Sequence, residues 1–507
     1  MNPISSKDSS ETPAEKRAAP LAIPSEDFRA AGHDLVDRVA DFLDGMRERP
    51  VAPGEAPTQV RAVLGSRDGL PEEGAELGPL LQETADLLFR HSTFNGHPRF
   101  FAYITGAPAP VGMLADFLAS AVNPNVGAWS LSPAASEIEA QTVRWIAELI
   151  GYPVDCGGLL VSGGNAANFV AFLAARAHAG GSRIREKGVP ASDGEGALRV
   201  YGSAETHTWI EKATDQYGLG TDAFRWIETD RKHRMDPGAL ARAIERDRSE
   251  GARPMMVVGT AGSTAVGAVD PLEEIGALCR EQEIWFHVDG AYGGFAAALP
   301  DASPDLKALA RADSVAVDPH KWLYAPLEAG CALVRDPEAL RSAFSYHPPY
   351  YHFGVEATNY VDYGPQNSRG FRALKVWLAL RQVGRSGYRR MIGDDVRLAE
   401  ALHQEAQRHP EIEAATCELS VVTFRYIPPE LAEEAERRAE DLDRLNEEIL
   451  DRLERSGDAY VSNAIVGGRF HLRACIVNFR TERRDVEALP EIVARHGRSA
   501  YREMFSA

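Results

Sequence analysis

Long hydrophobic runs are missing from this chain. No apolar stretch approaches the roughly 20 residues that a membrane-spanning helix needs. Cysteine is scarce: there are five in 507 residues, Cys156, Cys279, Cys331, Cys417 and Cys475, odd in number, scattered and without CxxC spacing. That pattern excludes a disulfide framework, argues against a zinc site, and reads as free thiols in a reducing cytoplasm. Basic residues are outnumbered: 55 Lys+Arg against 74 Asp+Glu leave a net charge of −19. Such an acidic surface argues against nucleic acid or an anionic membrane as the main partner. Neither GK[ST] after a glycine loop nor GxGxxG occurs in the glycine turn discussed below, so it is neither a Walker A loop nor a dinucleotide fingerprint. No internal repeat is visible. The opening segment MNPISSKDSSETPAEKRAAP has no apolar core like that of a signal peptide. Residues 1–24 are expected to be a disordered lead-in.

The stretch Trp285–Val334 organises what is there. It holds IWFHVDGAYGG and SVAVDPHKWLYAPLEAGCALV. Two short apolar runs, Ile284–Val288 and Ser314–Val317, each break at an acid, Asp289 and Asp318. Such runs read as buried strands of a parallel sheet, with function at their carboxyl ends. One tip offers a carboxylate, Asp289; the other offers His320-Lys321 followed by Trp322. A lysine after a buried strand can snorkel to solvent. Its company favours chemistry instead. An amine, an acid on a neighbouring tip, a glycine turn upstream and an isolated histidine meet the needs of pyridoxal phosphate: an imine-forming amine, a carboxylate for the ring nitrogen, a phosphate cradle and a partner for the ring face.

Along the chain, Phe28, Leu35, Val39, Phe42 and Met46 line one face of a helix with Ser25 as its N-cap. A Pro-rich irregular segment and a helix near Leu77–Arg90 follow. These pieces hold too little apolar surface to fold alone and are expected to clasp a partner subunit. HPRFFAYITG reads either as core or as a pocket wall. Ser136 and Glu139 stand at capping-box spacing before an apolar helix. Leu159–Val161 is a strand, Ser162-Gly163-Gly164-Asn165 a turn, and an Ala-rich helix follows. Strand, glycine turn and helix N-terminus make an anion site. Gly180–Gly196 is expected to be a polar surface loop. Val200–Ser203 is a strand, and His207 follows it. Another strand leads to a small-residue loop with Thr260, Ser263 and Thr264. Alternating strands and helices over Leu159–Val334 imply a mostly parallel, doubly wound sheet. SYHPPYYHFGVEATNYVDYGPQNSRG is a long loop of the kind that carries function. Composition shifts near Gly387. Strands at Val421–Tyr426, Ala459–Ser462 and Arg469–Val477 and a charged helix at Glu430–Arg455 then indicate a small α+β domain.

From about Phe28 onward the chain resembles the group II amino acid decarboxylases that depend on pyridoxal phosphate, whose aromatic-amino-acid members are best known. The likeness is carried by FRAAGHDLVDRVADFLDGM, HPRFFAY, SPAASEIE, NFVAFLAAR, ETHTWIEKA, RGFRALKVW and FHLRACIVNFR. Its most specific part is HVDGAYGG with DPHKW, 32 residues from Asp289 to Lys321. The resemblance implies an α/β fold, that of the fold type I pyridoxal phosphate-dependent transferases. Its parts would be an N-terminal helical segment (25–95), a large cofactor domain with a mostly parallel mixed sheet (96–386) and a small α+β C-terminal domain (387–507). It implies a homodimer with active sites at the interface. It also implies roles. Lys321 would hold the cofactor as an internal aldimine, and Asp289 would keep the ring nitrogen protonated. Ala291 would lie beside the ring and His207 on its other face. Gly163, Gly164, Asn165, Asp318 and His320 match phosphate-side positions, Thr264 matches a hydroxyl near the ring, and Ser368 matches a donor given across the dimer. Tyr350, with Tyr351 as its neighbour, matches the tyrosine that protonates the carbon losing carbon dioxide. Tyr103, Ile104, Asn125 and Trp129 fall on the substrate pocket.

This chain departs from the family pattern at several points. Asp318 stands where asparagine is usual, and a carboxylate near phosphate must be protonated, turned away or paired. Gly127 replaces an aromatic, Asn125 an aliphatic, Ile104 an aromatic and Ser368 a glycine. The pocket is therefore reshaped, and the side chain accepted stays open among tryptophan, DOPA, histidine, methionine and branched-chain amino acids. Acidic substrates are disfavoured because no unpaired basic cluster exists beyond Arg99 and Arg369. An aminotransferase or aldehyde-forming decarboxylase on the same scaffold is the alternative, with Arg473 the candidate carboxylate binder of an aminotransferase.

Overall fold

The structure is a computed structural model that describes residues 19–189, 196–346 and 357–505. The described residues form two compact units: Glu55–Ser92 with Arg49 and the residues before it, and Pro50–Gly54 with the residues from Thr93 onward. In the first, helices Ser25–Asp44 and Leu77–His91 pack together. The Phe42 and Phe89 rings stack at 4.3 Å and Arg38 pairs with Asp86 at 3.0 Å. No residue of Ser25–Asp44 is fully buried, and Phe28 and Val36 are more than half exposed. Pro24, not Ser25, is the N-cap; Ser25 already has helical geometry.

In the second unit, the described residues form two sheets. The larger has seven strands: β1 Gly157–Val161, β2 Leu198–Ser203, β3 Phe224–Ile227, β4 Arg253–Thr260, β5 Trp285–Asp289, β6 Ser314–Val317 and β7 Gly330–Val334. Their spatial order is β1-β7-β6-β5-β4-β2-β3, with β7 antiparallel to both its neighbours and the remaining pairs parallel. Alternate side chains feed two different cores. Val257, Phe286, Val288, Val315 and Val317 enter one; Met256, Val258, Trp285 and Ala316 enter the other. Both faces are therefore covered, which is why these strands read as continuous apolar runs. Helix Gly164–Lys187 lies close on one face because its inward positions, Ala167, Ala171, Ala174 and Ala175, are small and fully buried.

The smaller sheet is antiparallel, β10-β11-β9-β8, with β8 Ile412–Glu418, β9 Val421–Tyr426, β10 Ser462–Val466 and β11 Arg469–Cys475. Helices Ala439–Ser456 and Arg483–Phe505 cover it. Helix Ala373–Arg408 runs from one core to the other. Val376 and Ile392 sit in the large-sheet core, Leu402 and Ala406 in the small-sheet core, and the helical geometry breaks at Gly384 (φ 68°). The boundary expected at 386/387 thus falls inside this helix, three residues past its break.

Several local expectations are corrected. The helix after Asn125 starts at Pro133 with Ser132 before it, so Ser136 lies a turn inside and forms no capping box. Proline pre-set for the first helical position moves the start upstream. The segment expected as a loop over Gly180–Gly196 is helical to Lys187 apart from a break at Gly181 (φ 56°), and its residues 190–195 lie outside the described residues. The charged segment is not one helix: a short 3-10 turn, Pro429–Glu434, opens it after Pro428, and the helix begins only at Ala439. The strand expected at Ala459–Ser462 begins instead at Ser462, because Tyr460 bridges to Phe100 first.

Candidate active site

Four strand ends converge. Asp289 is the last residue of β5 and pairs in register with Thr260 of β4; Asp318 follows β6, and the glycine turn follows β1. Together with the His207 loop after β2 they surround one cavity of about 340 Å³. Of the expected site residues, Gly163, Gly164, Asn165, His207, Thr264, Asp289, Ala291, Asp318, His320 and Lys321 all line it.

The turn is built for close approach. Gly163 has φ 153° and ψ −176°, a conformation essentially reserved for glycine. A Cβ on Gly164 would stand 2.8 Å from Asp318 Oδ2. The first turn of helix Gly164–Lys187 thereby opens on the cavity with backbone N–H groups that have no acceptor within the helix. That is a cradle for an anion.

Lys321 Nζ lies 3.1 Å from Asp318 Oδ2, and His320 Nε2 lies 3.6 Å from the same oxygen. This is how the departure at 318 is accommodated: the carboxylate is paired. Its Oδ1 is buried and has no hydrogen-bond partner among the described residues. His320 Nδ1 accepts the Ala329 N–H at 3.2 Å, and burial pushes this imidazole below its ordinary value against the pull of Asp318. His207 is exposed to solvent; partial burial lowers its proton affinity, Asp289 opposes this and Lys321 adds to it.

The remaining expected residues that the structure describes do not line the cavity within one chain. Tyr103 is 57% exposed and Ser368 is exposed. Ile104 packs against the large-sheet core. The Trp129 indole donates to Glu137 at 2.8 Å. Asn125 Oδ1 accepts the N–H groups of Gly127 and Arg369, each at 3.1 Å. Gly127 has no room for the usual aromatic, since a Cβ would fall 2.1 Å from the Asn367 carbonyl oxygen. Tyr350 and Tyr351 lie outside the described residues.

Two basic residues named from the sequence are already engaged. Arg369 is buried and paired with Glu139 at 2.5 Å, and it also donates to the carbonyls of Val126 and Leu160. It is not free for a substrate. Arg473 donates to Ser462 Oγ at 3.0 Å and to the Thr264 carbonyl, which ties the small sheet to the cavity rim instead of presenting a free carboxylate binder. Sequence reasoning missed Glu205, Glu328 and Asn168 on the cavity wall, and the hydrogen bonds that Asn168 and Trp209 give Asp289. Asn168 carried a faint signal, one helical turn past Asn165.

A paired amine, a ring-sized cavity, an anion cradle and a carboxylate, all at the carboxyl edge of a mostly parallel mixed sheet, define a pyridoxal phosphate enzyme of fold type I; the donor set and the glycine cradle fit that cofactor. The sequence profile described as "Pyridoxal-dependent decarboxylase conserved domain" matches residues 57–427. The chain belongs to that family, and it is a pyridoxal phosphate-dependent carboxy-lyase acting on an amino acid. It is 34% identical over 466 residues to an aromatic-L-amino-acid decarboxylase of Bacillus atrophaeus, covering 91% of this chain and 93% of that protein. It is 29% identical to a phenylacetaldehyde synthase of a Rosa hybrid cultivar, covering 94% and 95%. The solved structure of Oryza sativa TDC with PLP and tryptamine superposes with a TM-score of 0.87 at 28% identity, covering 95% of this chain and 99% of that one. No helix among the described residues is long and apolar enough to cross a membrane.

Proposed function

We propose that this protein decarboxylates an L-amino acid with a neutral or aromatic side chain, releasing carbon dioxide and the amine. The carrying observation is the cavity wall. Lys321 is its one Lys or Arg among the described residues, while Glu205, Asp289, Asp318 and Glu328 all line it. An acidic side chain would meet carboxylates there and find no free guanidinium. When bound, pyridoxal phosphate supplies an electron sink for the pair left on the α-carbon. Lys321 supplies the amine that holds the cofactor. Asp289 holds the proton at the ring nitrogen. The turn Gly163–Asn165, with His320, receives the phosphate. His207 covers one ring face and orients the departing carboxylate. Tyr350 returns a proton to the α-carbon behind a closed loop.

Assembly as a homodimer belongs to the same reading. The helix Pro110–Val122 leaves Leu114, Phe117, Leu118 and Val122 more than half exposed, an apolar face that a second copy would cover. The partner subunit's Ser368 would then complete the phosphate site. Five cysteines without a disulfide accord with a cytoplasmic enzyme. Aldehyde formation is the second reading, because one relative is named for it; a tyrosine at 350 favours the amine.

The test is a screen of the twenty amino acids for carbon dioxide and amine, with Lys321→Ala as control. Release from an aromatic or neutral substrate, and none from the control, is expected. Turnover confined to glutamate or aspartate would overturn the substrate class, and a control as active as the wild type would remove Lys321.

A further inference from the structure

Asp289 is held from behind by side chains that no feature of the motif announces. Its Oδ2 accepts two hydrogen bonds, from the Trp209 indole Nε1 at 2.7 Å and from Asn168 Nδ2 at 3.1 Å. Its Oδ1 accepts the Ala291 N–H at 3.1 Å. All three donors are neutral. Trp209 is 0% and Asn168 1% exposed, so solvent does not dilute either bond.

The chain behind Asn168 runs in one direction. A carboxylate only accepts, so Asn168 turns its NH2 group to Asp289 and its Oδ1 to His287 Nε2, 2.8 Å away. That nitrogen therefore carries hydrogen. Burial pushes His287 down to about 4, so the ring is neutral and its Nδ1 is an acceptor. Ser314 Oγ, 2.9 Å from Nδ1, donates to it and in turn accepts the Trp285 indole N–H at 2.8 Å. Every donor points the same way: Trp285 to Ser314, to His287, to Asn168, to Asp289. Bonds aligned in such a chain polarise one another. Trp209 adds a second donor on the same oxygen, and its ring meets His287 edge to face at 5.8 Å.

We propose that Trp209 and the Trp285–Ser314–His287–Asn168 chain are positioning elements that saturate Oδ2 of Asp289, leave a lone pair of Oδ1 for the cavity, and keep the shared proton on the cofactor's ring nitrogen instead of on Asp289. This rests on the reading that Asp289 faces that nitrogen. Donors to a carboxylate favour its ionised form. Without them, the proton moves from the ring to Asp289, and the ring loses electron demand although every group that touches it is still present. Trp209 does not line the cavity and acts only through Asp289; Asn168, 1% exposed, reaches the cavity wall and acts through its bond to Asp289.

The experiment uses the whole protein loaded with pyridoxal phosphate labelled with 15N in the ring. The nitrogen shift reports whether the ring carries the proton, a signature that a merely structural role leaves unmoved. The wild type is expected at the pyridinium position. Trp209→Phe, which keeps an aromatic ring of smaller size and deletes the N–H, and Asn168→Leu, which keeps the shape and deletes the amide, are each expected to move the signal toward the neutral-pyridine position. Where Trp209→Phe does not fold, Asn168→Leu decides. A wild type at the pyridinium position with variants unmoved overturns the inference and leaves the proposed function standing. A wild type already at the neutral position overturns the placement of Asp289, and the inference with it.

Discussion

Directly behind the lysine segment lies a buried acid with no ion pair among the described residues. Asp395 is 2% exposed, and its Oδ2 accepts the Trp322 indole N–H at 3.0 Å and the Tyr324 hydroxyl at 2.8 Å. Burial raises its carboxyl from 3.8 to about 8, and the neutral donors only partly offset this. Between those two values the folded protein holds a proton that the unfolded chain has already released. Stability therefore falls as pH rises through this window, by about 1.4 kcal/mol per unit at most. The contribution is whole below the ordinary carboxyl value and is lost as pH climbs through about 8. Asp395→Asn has no proton to lose. Its unfolding free energy, relative to wild type, should rise by roughly 2–3 kcal/mol between pH 5 and pH 7. Urea unfolding of both proteins at pH 5, 6 and 7 measures this difference. A difference that stays flat across the window would refute the reasoning, for it would mean that the fold does not hold Asp395 protonated. The functional stake is Trp322, which follows Lys321, donates to Asp395 and stacks on Tyr292 at 4.7 Å.

Glu139→Gln strands the Arg369 guanidinium, 1% exposed, without its countercharge. The cost should be about 3–5 kcal/mol in chemical unfolding, and a loss below about 1 kcal/mol would show the pair to be dispensable. Tyr350→Phe should retain the cofactor while shifting product from amine toward aldehyde on chromatography; an unchanged amine yield removes Tyr350 from proton transfer.

The strands that carry the site were legible because each is a short β-branched or apolar run that stops at a chemical residue. Ser314–Val317 matches the expected limits, and Ile284–Val288 is displaced by one residue. Of the expected residues on the cavity wall, Asp289, Lys321 and the turn Gly163–Asn165 were legible because they stand at strand ends or in the glycine turn, where local sequence decides position; Thr264, Ala291, Asp318 and His320 were implied by the family resemblance. What local sequence does not encode is which distant side chain arrives behind them. Asn168 and Trp209 reach Asp289 from 121 and 80 residues away. Glu139 shows the principle at work. At three residues from Ser136 it has the spacing of a capping partner, worth about 1 kcal/mol at a helix end. Arg369, 230 residues later, takes it instead. A buried guanidinium left without a countercharge costs several times what a cap contributes, so the distant claim wins. Each local misreading of this kind is settled by the larger of two energies, and the larger one belongs to a partner that only the folded chain brings near.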